Sequence, residues 1–112
     1  MKKIEAVLRP ERLGHVKNAL ESIGISGMTI LGVVGIGEQK DFKQQWRAYE
    51  YSQAGVPKAK LETFVKDEFV SAACSEIMKH AWTGNVGDGI IFVSPVERAI
   101  RIRTGEEGED VL

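Results

Sequence analysis

The chain has 112 residues, 43% apolar and 28% charged, which suits one compact globular domain spanning 1–112 rather than a disordered tail or a pair of modules. Fifteen Lys and Arg against sixteen Asp and Glu leave a net charge of −1, so no basic field exists to gather nucleic acid or an anionic membrane. No apolar run approaches the roughly 20 residues of a spanning helix, and the start lacks the apolar core of a secretory signal. A soluble, cytoplasmic protein is expected. Cys74 is the sole cysteine, set in an apolar helical pattern, and can form neither an internal disulfide nor a zinc site by itself.

From the N-terminus, Ile4, Ala6 and Leu8 alternate with Lys3, Glu5 and Arg9, the period of a strand with one buried face. Pro10 stops it and suits a first helical turn. Leu13, Val16, Leu20 and Ile23 then recur at helical steps up to Gly24. Met28 to Gly37 reads as a second strand, apolar on both faces, so both faces need cover. Residues 38 to 57 are mostly polar, carry Trp46, Tyr49 and Tyr51, and hold no sustained period; a loop of this length in so small a domain is uncommon without a function. Lys58 to Lys66 alternates again, with Ala59, Leu61, Thr63 and Val65 on one side, and ends at Asp67 as a helix cap. Val70, Ala73, Cys74, Ile77, Met78 and Ala81 mark a second helix that Gly84 closes. A glycine-rich turn, 83–89, leads to a fourth strand, Ile90 to Val96, and a short basic strand, Ala99 to Arg103. An exposed acidic tail, 104–112, ends the chain.

The order βαββαβ with right-handed crossovers predicts an α+β, ferredoxin-like fold: a four-stranded antiparallel sheet with two helices on one face and a long loop between strands 2 and 3. The other face, with strand 2 and the bulk of Ile91 and Val93, calls for cover by self-association. Topology does not choose a function. An RNA reader needs aromatics on strands 1 and 3, where only Phe64 stands. A metal carrier needs clustered ligands, whereas Cys74, His15 and His80 stand apart. More informative is Gly87-Asp88-Gly89 between helix and strand, followed by Arg101 and Arg103: small residues let backbone amides approach phosphate, and alternate arginines supply charge and forked donors. Together these suggest a polyphosphate ligand, although each alone is commonly a tight turn or a solvated strand edge.

The residues Met1-Lys-Lys-Ile-Glu-Ala6 with Arg9-Pro10, Gly27-Met-Thr29, Gly35-Ile-Gly37, Gln39-Lys40, Glu50-Tyr51, Pro57-Lys58, Thr83-Gly84, Gly87-Asp-Gly89, Phe92 to Glu97 and Arg101 to Glu106 run end to end. In them the chain closely resembles the PII signal-transduction proteins, regulators of nitrogen metabolism. The resemblance implies a homotrimer binding ATP or ADP in clefts between subunits, with a "T-loop" of about residues 37 to 55 docking on a target protein, and regulation rather than catalysis, with at most weak ATP hydrolysis. It places adenine near Thr29, Glu62, Thr63 and Phe64, and phosphates around Gly87, Asp88, Gly89 and Ile90. Arg101 and Arg103 reach the phosphates from an adjacent chain, and Gly35, Gly37, Glu38 and Gln39 complete the nucleotide set. It further implies that Gln39 helps hold a nucleotide-bound magnesium ion, and that Gln39 and Lys58 receive 2-oxoglutarate.

The chain departs from the family pattern where Glu38 replaces an arginine and Ile90 a lysine, two phosphate-facing cations. ADP or AMP should therefore compete better than usual with ATP, and Glu38 should repel 2-oxoglutarate, leaving it weakly bound or unbound. In the loop, Asp41-Phe42 and Ala48-Tyr49 differ while Arg47 and Tyr51 are kept. Phe42, Trp46, Tyr49 and Tyr51 are the expected anchors on the regulated target, a transporter or an enzyme; the retained Arg47 points to an ammonium channel and the altered flanks to some other transporter, either of which would recruit the protein to the membrane. The alternative function is a small phosphate-ester or anhydride hydrolase, with Asp88 as acid or base beside Arg101 and Arg103.

Overall fold

The structure is a computed structural model and describes residues 1–37 and 55–112. Among these, four strands form one antiparallel sheet in the order β2-β3-β1-β4: β1 (Lys2–Leu8), β2 (Thr29–Gly35), β3 (Val56–Val65) and β4 (Gly89–Pro95). Helices α1 (Leu13–Ser22) and α2 (Val70–Ala81) are each entered through one 3-10 turn, Pro10–Arg12 and Asp67–Phe69. This is the ferredoxin-like βαββαβ architecture expected from the sequence.

The two-residue period of β1 and β3 sets the layers. Ile4, Ala6 and Leu8 stand opposite Thr63, Leu61 and Ala59, and all six are buried beneath Val16, Leu20, Ala73 and Ile77 of the helices. Helix α1 ends because Gly24 takes φ +92°, a left-handed conformation that glycine adopts freely. The amides of Gly24 and Ile25 then return to the carbonyls of Glu21 and Leu20 at 3.0 Å each, a Schellman cap that buries Ile25.

The opposite face of the sheet is open. At its centre Lys3, Glu5, Lys60 and Glu62 form a closed quartet of ion pairs at 3.1–3.6 Å. Around them lie the exposed Leu31, Phe64, Ile90 and Phe92. The hydrogen bond with Glu5 raises the Lys3 pKa, and those from Lys3 and Lys60 lower the Glu5 pKa.

Several expectations need correction. Ile91 and Val93 stand opposite Ala6 and Ile4, so they face the helices; the residues that leave the open face uncovered are those just named. β4 is apolar on both sides, and no polar residue in the sequence marks its inner face. Strand β3 starts at Val56, ahead of Lys58, and takes in Pro57 because β1 pairing begins only at Ala59 and leaves that side unpaired. Asp67 does not cap a helix: its carboxylate accepts from the Met1 amine at 2.9 Å and Lys2 Nζ at 3.1 Å. Helix α2 ends at Ala81 with Trp82 extended, and Gly84 serves the following turn instead. Met78, expected inside, is 65% exposed.

The basic strand Ala99–Arg103 is absent among the described elements: Ile100 makes a single bridge with Glu107. Gly105, at φ +74°, lets its amide reach the Arg101 carbonyl at 2.7 Å. Arg101 and Arg98 then pair with Glu106 and Glu107 at 3.2 and 2.7 Å. The tail is accordingly folded back on the segment before it, with Val111 half-buried.

Candidate functional site

Thr29, Glu62 and Phe64 project from the open face of β2 and β3 at the end of the sheet where β1 begins. With Gly27 and Met28 on one side and Arg98 to Arg101, Val111 and Leu112 on the other, they line a cleft of about 580 Å³. Arg101 forms part of that wall with one guanidinium nitrogen on Glu106. Phe64 is 42% exposed, a free aromatic face beside a carboxylate and a guanidinium. Thr63 does not join them: its side chain is fully buried, and its hydroxyl donates to the Gly27 carbonyl at 2.6 Å, tying β3 to the turn before β2. Arg103 is exposed on the return turn and makes no ion pair among the described residues.

The glycine turn sits at the other end of the sheet, where Gly89 stands opposite Leu8. Glu62 and Lys58 are four residues apart along β3, roughly 13 Å at strand rise, so the adenine-side and turn-side residues form two separate groups on one chain.

Asp88 organises the turn internally. One carboxylate oxygen accepts from Arg9 Nε at 3.0 Å and from the Thr83 hydroxyl; the other accepts from the amides of Thr83 and Gly84 at 2.7 and 2.9 Å. Partial burial works to raise its pKa, but these hydrogen bonds outweigh it and hold the carboxyl well below the usual range. An anion already engaged by four donors is a poor proton acceptor and does not point at a ligand. Arg9 also donates to the Val86 carbonyl at 2.9 Å, and Lys58 Nζ reaches the Gly87 carbonyl at 2.5 Å. Gly89, at φ +107°, packs against β1 so closely that a Cβ would lie 1.8 Å from the Val7 carbonyl oxygen. The turn is thus braced from three directions, with Asn85 and Val86 left exposed at its tip.

Comparison with known proteins bears on this arrangement. The family model for nitrogen regulatory protein P-II matches residues 1–106. Proteins named nitrogen regulatory protein P-II from Haemophilus influenzae, Pasteurella multocida and Azospirillum brasilense are 53%, 49% and 46% identical to the chain, over all 112 residues and the full length of each. The chain belongs to the nitrogen regulatory protein P-II family.

In this P-II chain the sequence expectations fall into three sets. Thr29, Glu62, Phe64 and Arg101 come together in one cleft, and Lys58 joins Gly87, Asp88 and Gly89 at the turn. Gly35 ends β2 beside the stem of Lys58, and Ile90 follows the turn on the open face opposite Val7, 54% exposed. Glu38, Gln39, Phe42, Trp46, Arg47, Tyr49 and Tyr51 lie outside the described residues, and Gly37 borders them. Sequence reasoning missed the brace formed by Arg9 and Thr83 and the wall formed by Arg98, Val111 and Leu112. The pairing of Arg9 with Asp88 spans 79 positions and carries no periodic signal. As a P-II protein the chain is a signalling component of nitrogen regulation, and no helix among the described residues is long and apolar enough to cross a membrane.

Proposed function

We propose that this P-II chain senses adenine nucleotides as a homotrimer and regulates a target protein through residues 37–55, within a single domain spanning 1–112. The observation that carries the reading is the division of the site residues into two groups at opposite ends of one sheet. A head-to-tail ring brings the aromatic cleft of one subunit to the glycine turn of its neighbour, and three copies close such a ring. Phe64 and Thr29 then flank adenine, backbone amides of Gly87 to Gly89 meet phosphate, and Arg101 and Arg103 approach from the adjacent chain. Glycine at 89 is required by its close approach to β1, and the amides of the turn supply the donors that a phosphate needs.

Two departures shape the ligand preference. Ile90 brings no charge to the turn and Glu38 adds a negative one, so ADP or AMP competes well with ATP and 2-oxoglutarate binds weakly. Gln39 would help hold a nucleotide-bound magnesium ion, which would supply neutralisation of the phosphate charge. The partner is a transporter, such as an ammonium channel, engaged by Phe42, Trp46, Arg47, Tyr49 and Tyr51 at the cytoplasmic face of a membrane. Calorimetric titration of ATP, ADP and AMP, with and without magnesium and 2-oxoglutarate, tests the reading: binding of at least ADP is expected, and failure of all three nucleotides to bind refutes it.

A further inference from the structure

We propose that Lys58 supplies the phosphate-facing cation that position 90 lacks, an inference that rests on the nucleotide reading above. Lys58 is half-buried near the start of β3, and its Nζ lies 2.5 Å from the Gly87 carbonyl oxygen, inside the turn expected to cradle phosphate. Its stem runs past Gly35, where a Cβ would sit 3.3 Å from Lys58 Cγ, so glycine at 35 leaves the slot through which the ammonium reaches the turn. The neighbouring cation, Arg9, has its guanidinium spent on Asp88 and the Val86 carbonyl. Ile90 stands opposite Val7 with an aliphatic side chain. A phosphate seated on the turn's amides is therefore met by Lys58 Nζ after a short displacement from the carbonyl it now holds. An ammonium committed to phosphate is withdrawn from 2-oxoglutarate, so the same assignment predicts weak binding of that acid.

The test is titration of ADP and, separately, adenosine into the intact protein without 2-oxoglutarate, for the unsubstituted chain, Lys58→Gln, Lys58→Arg and Gly35→Ala. Loss of one charge-assisted contact predicts a roughly 10- to 100-fold weaker ADP affinity for Lys58→Gln. Adenosine affinity should be unchanged, Arg should restore part of the loss, and Gly35→Ala should weaken ADP alone by crowding the stem while the charge is kept. ADP affinity unchanged in Lys58→Gln, or ADP and adenosine weakened equally, overturns the proposal. Should Lys58→Gln not fold, Lys58→Arg and Gly35→Ala decide it by the same comparison. If the unsubstituted chain binds no ADP, the nucleotide reading itself falls and this inference with it, whereas the other outcomes leave that reading standing.

Discussion

Asp88 shows how a residue that looks chemical can be structural. Its carboxylate has the same sequence context as a phosphate-site acid, yet both oxygens are turned inward onto Thr83, Gly84 and Arg9. Asp88→Asn keeps the size, removes the charge and puts a donor where an acceptor is needed. A loss of about 1.5–3 kcal/mol is expected, seen as a fall in melting temperature of roughly 5–15 °C. Because the folded-state pKa lies below the unfolded value near 3.9, the stabilisation is fully present above that pH and fades as the pH drops. The unsubstituted protein should therefore lose more stability than Asp88→Asn between about pH 5 and pH 2, as measured by chemical denaturation at each pH. Equal losses would mean that Asp88 does not hold the turn. At Gly89 the constraint is steric: Gly89→Ala must leave a left-handed backbone and displace the Val7 carbonyl. It should cost more than about 2 kcal/mol, whereas alanine at Gly14, whose Cβ would meet nothing within 4 Å, should be tolerated or stabilising.

At the scale of elements, the core seam between the helices and the central strands carries most of the burial. Ile77 is 1% exposed in the middle of α2, and Ile77→Ala should destabilise by about 2–5 kcal/mol in equilibrium unfolding. A loss under 1 kcal/mol would show that α2 is not packed as described. The inner faces of β1 and β3 could be read directly, because Lys and Glu alternate there with the residues that turn inward. Strand β4 could not, since Ile90, Ile91, Phe92 and Val93 offer no contrast between faces. The segment after Pro95 misled for the opposite reason. Ile100 and Ile102 alternating with Arg101 and Arg103 imitate a strand, while the left-handed Gly105 and the pairing of Arg101 with Glu106 fold the chain back. As for the site, composition and spacing gave the types of residue, whereas the division into an adenine set and a phosphate set came only through the family resemblance. The register places Thr29 and Glu62 at one end of the sheet and Lys58 with the glycine turn at the other, and register is fixed by pairing rather than by any local run.

At the scale of the whole molecule, the open face governs behaviour. Leu31, Phe64, Ile90 and Phe92 are each 42–54% exposed around a charge quartet whose members neutralise one another. Such a face is poorly suited to water and well suited to a second copy, since the ion pairs it buries are already made. Light scattering at micromolar concentration should give about three times the 12.4 kDa chain mass; a monomer would remove the intersubunit cleft. Glu5→Ala should weaken assembly by leaving Lys3 and Lys60 with fewer partners, visible as dissociation at protein concentrations where the unsubstituted chain stays assembled.

The central claim is that one nucleotide is held by two chains, and subunit mixing tests it most directly. Arg101→Ala with Arg103→Ala damages the cleft side, and Gly87→Val damages the turn side, so neither variant alone should bind ADP. Refolded together in equal amounts, they should regain about a quarter of the sites, those that pair an intact cleft from one chain with an intact turn from the other. Recovery of that fraction is the predicted result; a mixture that binds no more ADP than its components would place both halves of the site on a single chain and contradict the account.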